Sequence, residues 1–492
     1  MSLTRSEVRI ILAGALLAIF LAALEQTVVA TALPSIAADL GGFELISWVV
    51  TAYMLSSVCA TPIVGKLSDL YGRRPVLSAC LAIFLGGSVL CALSPGMIPL
   101  IVARGIQGIG GGGLITLGQT IIGDVVSPRE RGRYAAYFSG VWATSALLGP
   151  VLGGLLAEHA GWPWIFWINL PLGLVVLALS DRALRKLPVA HSRGGVDYIG
   201  ITLLSLGVVA LLLVLSLGGK RLAWTSSGTI GLVLVAVAAC AAFLWRQRVI
   251  SEPILPPRFL IDRVVGPVLG ASFLVFGSYL AVAVLAPVYF QVALGVSASD
   301  SGILMIPLLL STSIAAALAG RYNRRSGRYR RPPLVSLPFG MIGLVILGLF
   351  AGSLGPVGAA ALLAVVGLGI GPIFPCSLVA AQSAVAPRDL GAVSGAVGFS
   401  RSLGGAVATA AAVALVLGIV GRDLPETGAI MSLEDLARTS LTPHARTIVA
   451  RAFGDLFWAV AAMLFFGFLT FARVEDRLLH TQSGAERTAA GG

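Results

Sequence analysis

Charge is what this chain has least of. Asp, Glu, Lys and Arg make up 11% of its 492 residues, against about 25% in ordinary globular chains. Apolar residues make up 57%, and the mean hydropathy is +0.94. Such a composition excludes a water-soluble domain and leaves a polytopic helical membrane protein. Histidine is scarce: His159, His191, His444 and His480 all fall in connectors or at the ends of apolar runs, which argues against haem or an intramembrane metal centre. Cys59, Cys80, Cys91, Cys240 and Cys376 are scattered through apolar runs without metal spacing and read as small core residues. The sequence has no Gly-x-x-x-x-Gly-Lys-Ser/Thr phosphate cradle, so the chain does not itself hydrolyse ATP. No Ser/His, Cys/His or paired-carboxylate set lies at membrane depth, which leaves an enzyme without its chemistry. No cofactor is expected, and the remaining energy source is an ion gradient, here protons.

The apolar residues gather into fourteen runs, the first near 10–33 and the last near 453–472, most of them about the 20 residues that cross a bilayer as helix. Most of the 34 Lys and Arg fall in alternate connectors, so the positive-inside rule places both termini in the cytoplasm of a cell (inner or plasma) membrane. The same mapping disposes of nucleic acid as the reason for the net charge of +12. The first run is too long for a signal h-region and carries an acid, so it reads as retained.

Gly65, Gly72, Arg73 and Pro75 recur as Gly320, Gly327, Arg328 and Pro332, and Pro128-Arg129-Glu130-Arg131-Gly132 returns as Pro387-Arg388-Asp389-Leu390-Gly391. Two independent matches imply duplication, with parallel six-span repeats and a site between them. The fold class expected is all-α: two six-helix bundles plus two inserted transmembrane helices, 197–246. The divisions are a first bundle over 1–180, an inserted pair with cytoplasmic linkers over 181–263, and a second bundle over 264–480 with an outer segment at 421–451. A flexible cytoplasmic tail follows over 481–492. No function is legible for the inserted pair.

Glu25 is the single acid of the 22 well inside an apolar run. A lone ionisable group there costs about 2.5 to 3.5 kcal/mol on insertion scales and marks a functional site by default. Arg104 is its natural partner: counting helical rise, the two lie about 12 Å and about 10 Å below the outer ends of the first and fourth runs. Gly108, Gly110 and Gly113 satisfy Gly-x-Gly-x-x-Gly, but without a preceding strand this is no dinucleotide site. Gly108 and Gly112, four apart, instead permit close helix contact. Arg401 is a second cation inside a run, either lining a cargo path or locking its helix to a carbonyl. Tyr53, Gln119, Trp142, Phe276, Tyr279 and Phe399 are, with Arg401, the candidate lining of an adaptable cavity.

The run Gly65-Lys-Leu-Ser-Asp-Leu-Tyr-Gly-Arg-Arg-Pro resembles the loop signature of the major facilitator superfamily. In that family Gly65, Gly72, Asp69, Arg73 and Asp124 correspond to a cytoplasmic latch that holds the outward-open state; in the second half Arg324 takes the Asp slot. Arg104-Gly-Ile-Gln-Gly-Ile-Gly resembles the fourth-span signature associated with proton coupling. Gly149-Pro150-Val-Leu-Gly153-Gly154 is similar to the hinge signature of antiporters. Leu24-Glu25-Gln-Thr-Val-Val-Ala-Thr-Ala-Leu-Pro34 is similar to the first-span signature of the fourteen-span drug:proton antiporters of the EmrB/QacA type, with Glu25 in place of Asp and Pro163 where Arg is usual later on.

The resemblance implies a proton-coupled exporter of amphipathic drugs or toxic compounds, a multidrug efflux protein conferring antibiotic resistance, working by alternating access. Its partners are then the lipid bilayer, an amphipathic small molecule and protons, with accessory export proteins unassigned. A proton and a cationic drug would compete for the Glu25 carboxylate. Alternative readings are an exporter of a lipid, siderophore or other specialised metabolite, and a nutrient importer, which the fifth-span signature disfavours.

Overall fold

The structure, a computed structural model, describes residues 5–184, 195–217, 225–423, 436 and 442–479. Every regular element among them is helical, as hydrocarbon demands of a chain whose backbone must satisfy its own hydrogen bonds. The helices are α1 (Arg5–Leu40), α2 (Ile46–Tyr71), α3 (Arg73–Ala92), α4 (Met97–Val125), α5 (Pro128–His159), α6 (Trp164–Trp167), α7 (Asn169–Leu184), α8 (Tyr198–Leu217) and α9 (Ser227–Val249). After them come α10 (Arg258–Ile261), α11 (Val265–Val288), α12 (Ala298–Ser326), α13 (Arg331–Phe350), α14 (Pro356–Ile370), α15 (Ile373–Ala384), α16 (Leu390–Asp423) and α17 (Pro443–Ala472).

Thirteen helical stretches are long and apolar enough to cross a membrane, and Trp164–Ser180 is a shorter apolar one. The sixth run of the sequence is therefore broken, into α6 and α7, where a single span was expected. The twelfth is also broken, at Gly371-Pro372 between α14 and α15: Pro372 has no N–H to continue the ladder, and a Cβ on Gly371 would meet the Thr312 carbonyl. Of the outer segment 421–451, residues 424–435 and 437–441 lie outside the described residues, as do the tail 481–492 and most of the 181–193 linker.

Turns follow from local chemistry. Gly72 (φ +88°) and Gly327 (φ +68°) turn the two related hairpins in a region that side chains rarely adopt. Ser226, Ser297 and Thr442 accept from the backbone N–H three residues on, capping α9, α12 and α17.

Helices α1 to α7 form one unit, with α2 and α3 packed on α4, and α1 against α4, α5 and α7. Helices α11 to α17 form the other, with α11 on α16 and α17, and α12 and α13 on α14. The units meet along α2–α16 and α5–α12. Helices α8 and α9 pair with each other, and α8 rests on both α2 and α16. Asp197 closes the pair at the basic end, accepting from Gly200 N (2.8 Å), Arg246 Nε (2.6 Å) and Gln247 Nε2 (3.2 Å). The segment after α9 is tied to both units, by Lys66–Glu252 (2.6 Å) and Arg258–Asp389 (2.7 Å). At the same end Tyr329 donates to the Glu475 carbonyl (2.7 Å), and burial pushes its hydroxyl up to about 12.

Candidate functional site

Within the first unit, two apolar clusters, one around Ile11, Ile19 and Leu117 and the other around Leu24, Val28, Leu100 and Phe166, are separated by a polar layer. Glu25 and Arg104, each 1% exposed, form its centre, with Arg104 Nη1 2.5 Å from Glu25 Oε1. The other carboxylate oxygen accepts from Asn169 Nδ2 at 2.6 Å. Arg104 Nη1 also donates to Gln107 Oε1 (2.5 Å) and Nε to the Val49 carbonyl (3.1 Å). Ser88 Oγ receives both Gln107 Nε2 (2.7 Å) and Asn169 Nδ2 (3.2 Å). The guanidinium lies 4.4 Å from the Tyr53 ring centroid and 5.8 Å from that of Phe166, a favourable cation–π geometry. Six helices, α1, α2, α3, α4, α6 and α7, thus converge on one ion pair, and both of its charges are compensated.

This corrects two expectations. Tyr53 does not line a cavity: it is 1% exposed, beneath Arg104, with its hydroxyl 3.4 Å from the Ala22 carbonyl. Glu25 is enclosed by its own unit, so its carboxylate is not presented to cargo in this state. Gln107 and Asn169 stood in the sequence only as members of signature runs, without a role of their own, and Ser88 was not singled out. The break between α6 and α7 brings Asn169 inward, and its signal was one amide in the otherwise apolar run Trp164–Pro171.

At the basic end, Asp69 Oδ1 and Oδ2 accept from the backbone N–H of Gly391 (2.8 Å) and Ala392 (2.7 Å), at the N-terminus of α16 in the other unit. A helix N-terminus favours a carboxylate there. Arg73 braces Asp69 (2.5 Å) and joins it to Asp124 (2.7 Å). Gly65 lets the backbones of α2 and α16 touch, since a Cβ there would meet the Gly391 carbonyl and lie 3.2 Å from Gly395 Cα. The related contact between α12 and α5 has reversed polarity. Here Arg129, at the start of α5, donates to the carbonyls of Arg324 (3.0 Å) and Arg325 (3.2 Å) at the C-terminal end of α12.

Gly149 and Gly153 face α1, where a Cβ would strike Thr27 and Thr31, and Thr27 Oγ1 donates to the Ser145 carbonyl at 2.9 Å. Pro150 is exposed, nothing lies within 4 Å of a Cβ on Gly154, and α5 runs on without a break. Gly149 and Gly153 thus act in this state as a close α1–α5 contact.

Between the units lies a narrow slit, a cavity of only about 20 Å³, lined by Gln119, Tyr134, Phe138, Phe374, Gln382 and Arg401 among others. Arg401 Nη2 donates to the Phe374 carbonyl and to Ser377 Oγ, both at 2.7 Å; it both locks its helix to a carbonyl and faces the slit. Phe276 and Tyr279 join it through Phe374, with ring centroids 5.8 and 5.6 Å away. Trp142 is half-buried, 6.4 Å from the Phe138 ring. Phe399 is brought elsewhere, against the apolar cluster of α2, α8 and α9 that contains Cys59, Leu204 and Phe243, because it lies on a different face of α16 from Arg401.

The profile of the Major Facilitator Superfamily matches residues 15–409. The chain is 34% identical over 408 residues to the multidrug transporter protein MdtP of Bacillus subtilis (strain 168), covering 82% of this chain and 74% of that one. It is 32% identical over 400 residues to multidrug resistance protein 3 of the same organism, covering 81% and 78%. Among solved structures it superposes on the human organic anion transporter MFSD10 (TETRAN) with a TM-score of 0.63 at 16% identity, covering 94% of this chain and 99% of that one, a likeness of fold alone. With two packed helical units, a seam between them and a family match over most of its length, the chain belongs to the Major Facilitator Superfamily and is a multi-pass membrane transporter.

Proposed function

We propose that this transporter is a proton-coupled exporter of amphipathic compounds, working by alternating access in the cell membrane with both termini cytoplasmic. The observation that carries the reading is the buried Glu25–Arg104 pair at 2.5 Å, the kind of intramembrane ionisable site that serves proton relays. Relatives named for multidrug transport and resistance support the cargo class. The distribution of basic residues supports the orientation. With Trp164–Ser180 counted as a membrane crossing, fourteen crossings return the C-terminus to the side of the N-terminus, as in the drug:proton antiporters that the first-span signature resembles.

The geometry supports alternating access. Contacts between Asp69 and Gly391 and between Arg129 and Arg324 hold the basic end closed, which supports an outward-facing state. Protonating Glu25 removes one charge from the pair and leaves Arg104 uncompensated. The layer joining α1, α4 and α7 then loosens, so that the units rock and the basic end opens. Deprotonation toward the cytoplasm restores the pair. Cargo and proton act on different residues, through the arrangement of the two units.

The test is collapse of a preset pH gradient in inverted vesicles on adding cationic, neutral and anionic amphiphiles. Collapse in the wild type and none in Glu25→Gln is the expected result. Cargo-driven collapse that survives Glu25→Gln would remove Glu25 from coupling. Response only to lipid-like or metal-chelating cargo would favour the specialised-metabolite reading.

A further inference from the structure

Among the buried arginines, Arg104 and Arg401 differ in charge balance. Arg104 has Glu25 against it. Arg401, 7% exposed, has no ion-pair partner among the described residues. Its two hydrogen bonds, both from Nη2, go to the neutral acceptors Phe374 O and Ser377 Oγ. A guanidinium carries five N–H donors in a fixed fork suited to carboxylate, sulfonate or phosphate oxygens. A charge held this far from water without a counter-ion is costly, and such residues in membrane segments mark ligand paths.

The surroundings indicate what would balance it. The slit beside Arg401 is lined by the amides of Gln119 and Gln382 and the rings of Tyr134, Phe138 and Phe374, and none of its lining residues is Asp or Glu. Arg131, also on its wall, is committed to the end of α4, where it donates to the Val126 and Gly123 carbonyls. The two buried acids of the first unit are engaged elsewhere, Glu25 by Arg104 and Asn169 and Asp69 by Arg73 and the start of α16. A cationic cargo would meet an uncompensated positive charge in this slit and no carboxylate.

We propose that Arg401 is an anion-docking group, and that the cargo is an organic monoanion with an aromatic or alkyl body that packs on Phe374, Phe276 and Tyr279. This deepens the export reading in its transport arm; its binding arm stands independently. The electrical consequence differs from that of cation export. When one proton enters, release of a monoanion moves a second charge in the same sense, whereas release of a monocation cancels the first. An inside-negative potential therefore drives anion export together with the pH gradient.

The test is equilibrium binding of three alkylnaphthalenes, identical except for a sulfonate, hydroxyl or trimethylammonium head, to the purified full chain. The sulfonate should bind roughly tenfold or more tightly than the trimethylammonium compound, as one charge-assisted contact allows. Arg401→Gln should erase that preference and leave the hydroxyl compound unchanged, and Arg401→Lys should keep part of it. Equal or tighter binding of the trimethylammonium compound to wild type would overturn the proposal. So would an unchanged preference in Arg401→Gln with only a lowered melting temperature, the result of a purely structural lock. Should Arg401→Gln fail to fold, the wild-type order and Arg401→Lys decide. Binding as expected without potential-driven export in proteoliposomes would count against the export reading and leave the docking assignment standing.

Discussion

At the scale of single residues, an ion pair such as Glu25–Arg104 matters through what surrounds it. Removing one member of a buried pair strands the other, at a cost of about 3 to 5 kcal/mol in soluble proteins. Glu25→Gln is gentler, because the amide oxygen still accepts from Arg104. We expect a folded protein whose export no longer responds to a pH gradient, checked by proton flux in proteoliposomes beside a melting curve in detergent. Asn169 orients the second carboxylate oxygen at 2.6 Å, so it is a positioning residue. Asn169→Ala should destabilise by about 1 to 3 kcal/mol, the range for an unsatisfied buried partner. It should also shift the pH dependence of transport while retaining turnover at its new optimum. An unshifted profile would reduce Asn169 to packing.

At the scale of elements, the glycines of α4 decide how closely the first unit packs. A Cβ on Gly108 would meet the Tyr53 carbonyl, and one on Gly112 the Ser57 carbonyl, both backbone atoms of α2; backbone has little room to give. Gly112→Val should therefore cost about 1 to 3 kcal/mol or more by overpacking, visible as a lower melting temperature. Gly105→Val, which meets open space, serves as the control. The four-residue spacing made this contact legible in the sequence, and the lone acid in an apolar run made Glu25 legible. Which face of a helix turns inward was not, because helices that are apolar all round carry no stripe to orient them. Tyr53 and Phe399 were assigned to the cavity for that reason, and Phe374 was not singled out. The breaks at Ile168 and at Gly371-Pro372 likewise lie inside continuous apolar runs, where hydropathy registers no interruption.

At the scale of the whole molecule, the two seam contacts are related by the duplication but opposite in sign. In one, the Asp69 carboxylate takes N–H groups from the start of α16; in the other, the Arg129 guanidinium takes carbonyls from the end of α12. Each places a side-chain charge against the helix end whose partial charge it complements, so both favour the closed basic end, and neither depends on the other's residues. Asp69→Asn keeps a carbonyl acceptor but loses one N–H partner and the attraction to Arg73. Hydrogen bonds to charged groups are worth about 1.5 to 3 kcal/mol, and each 1.4 kcal/mol is tenfold in population. Spin labels at Tyr71 and Arg388, both exposed and on opposite units, report opening as a longer distance. That population should rise roughly tenfold or more in Asp69→Asn, rise less in Arg129→Gln, whose neutral-acceptor contacts are exposed, and rise in the double variant by the product of the two. A double variant no more open than Asp69→Asn alone would mean that the α5–α12 contact follows the latch and does not help to hold it. An unchanged distance in Asp69→Asn would move control of the basic end to the apolar seam, where Gly65 meets Gly391.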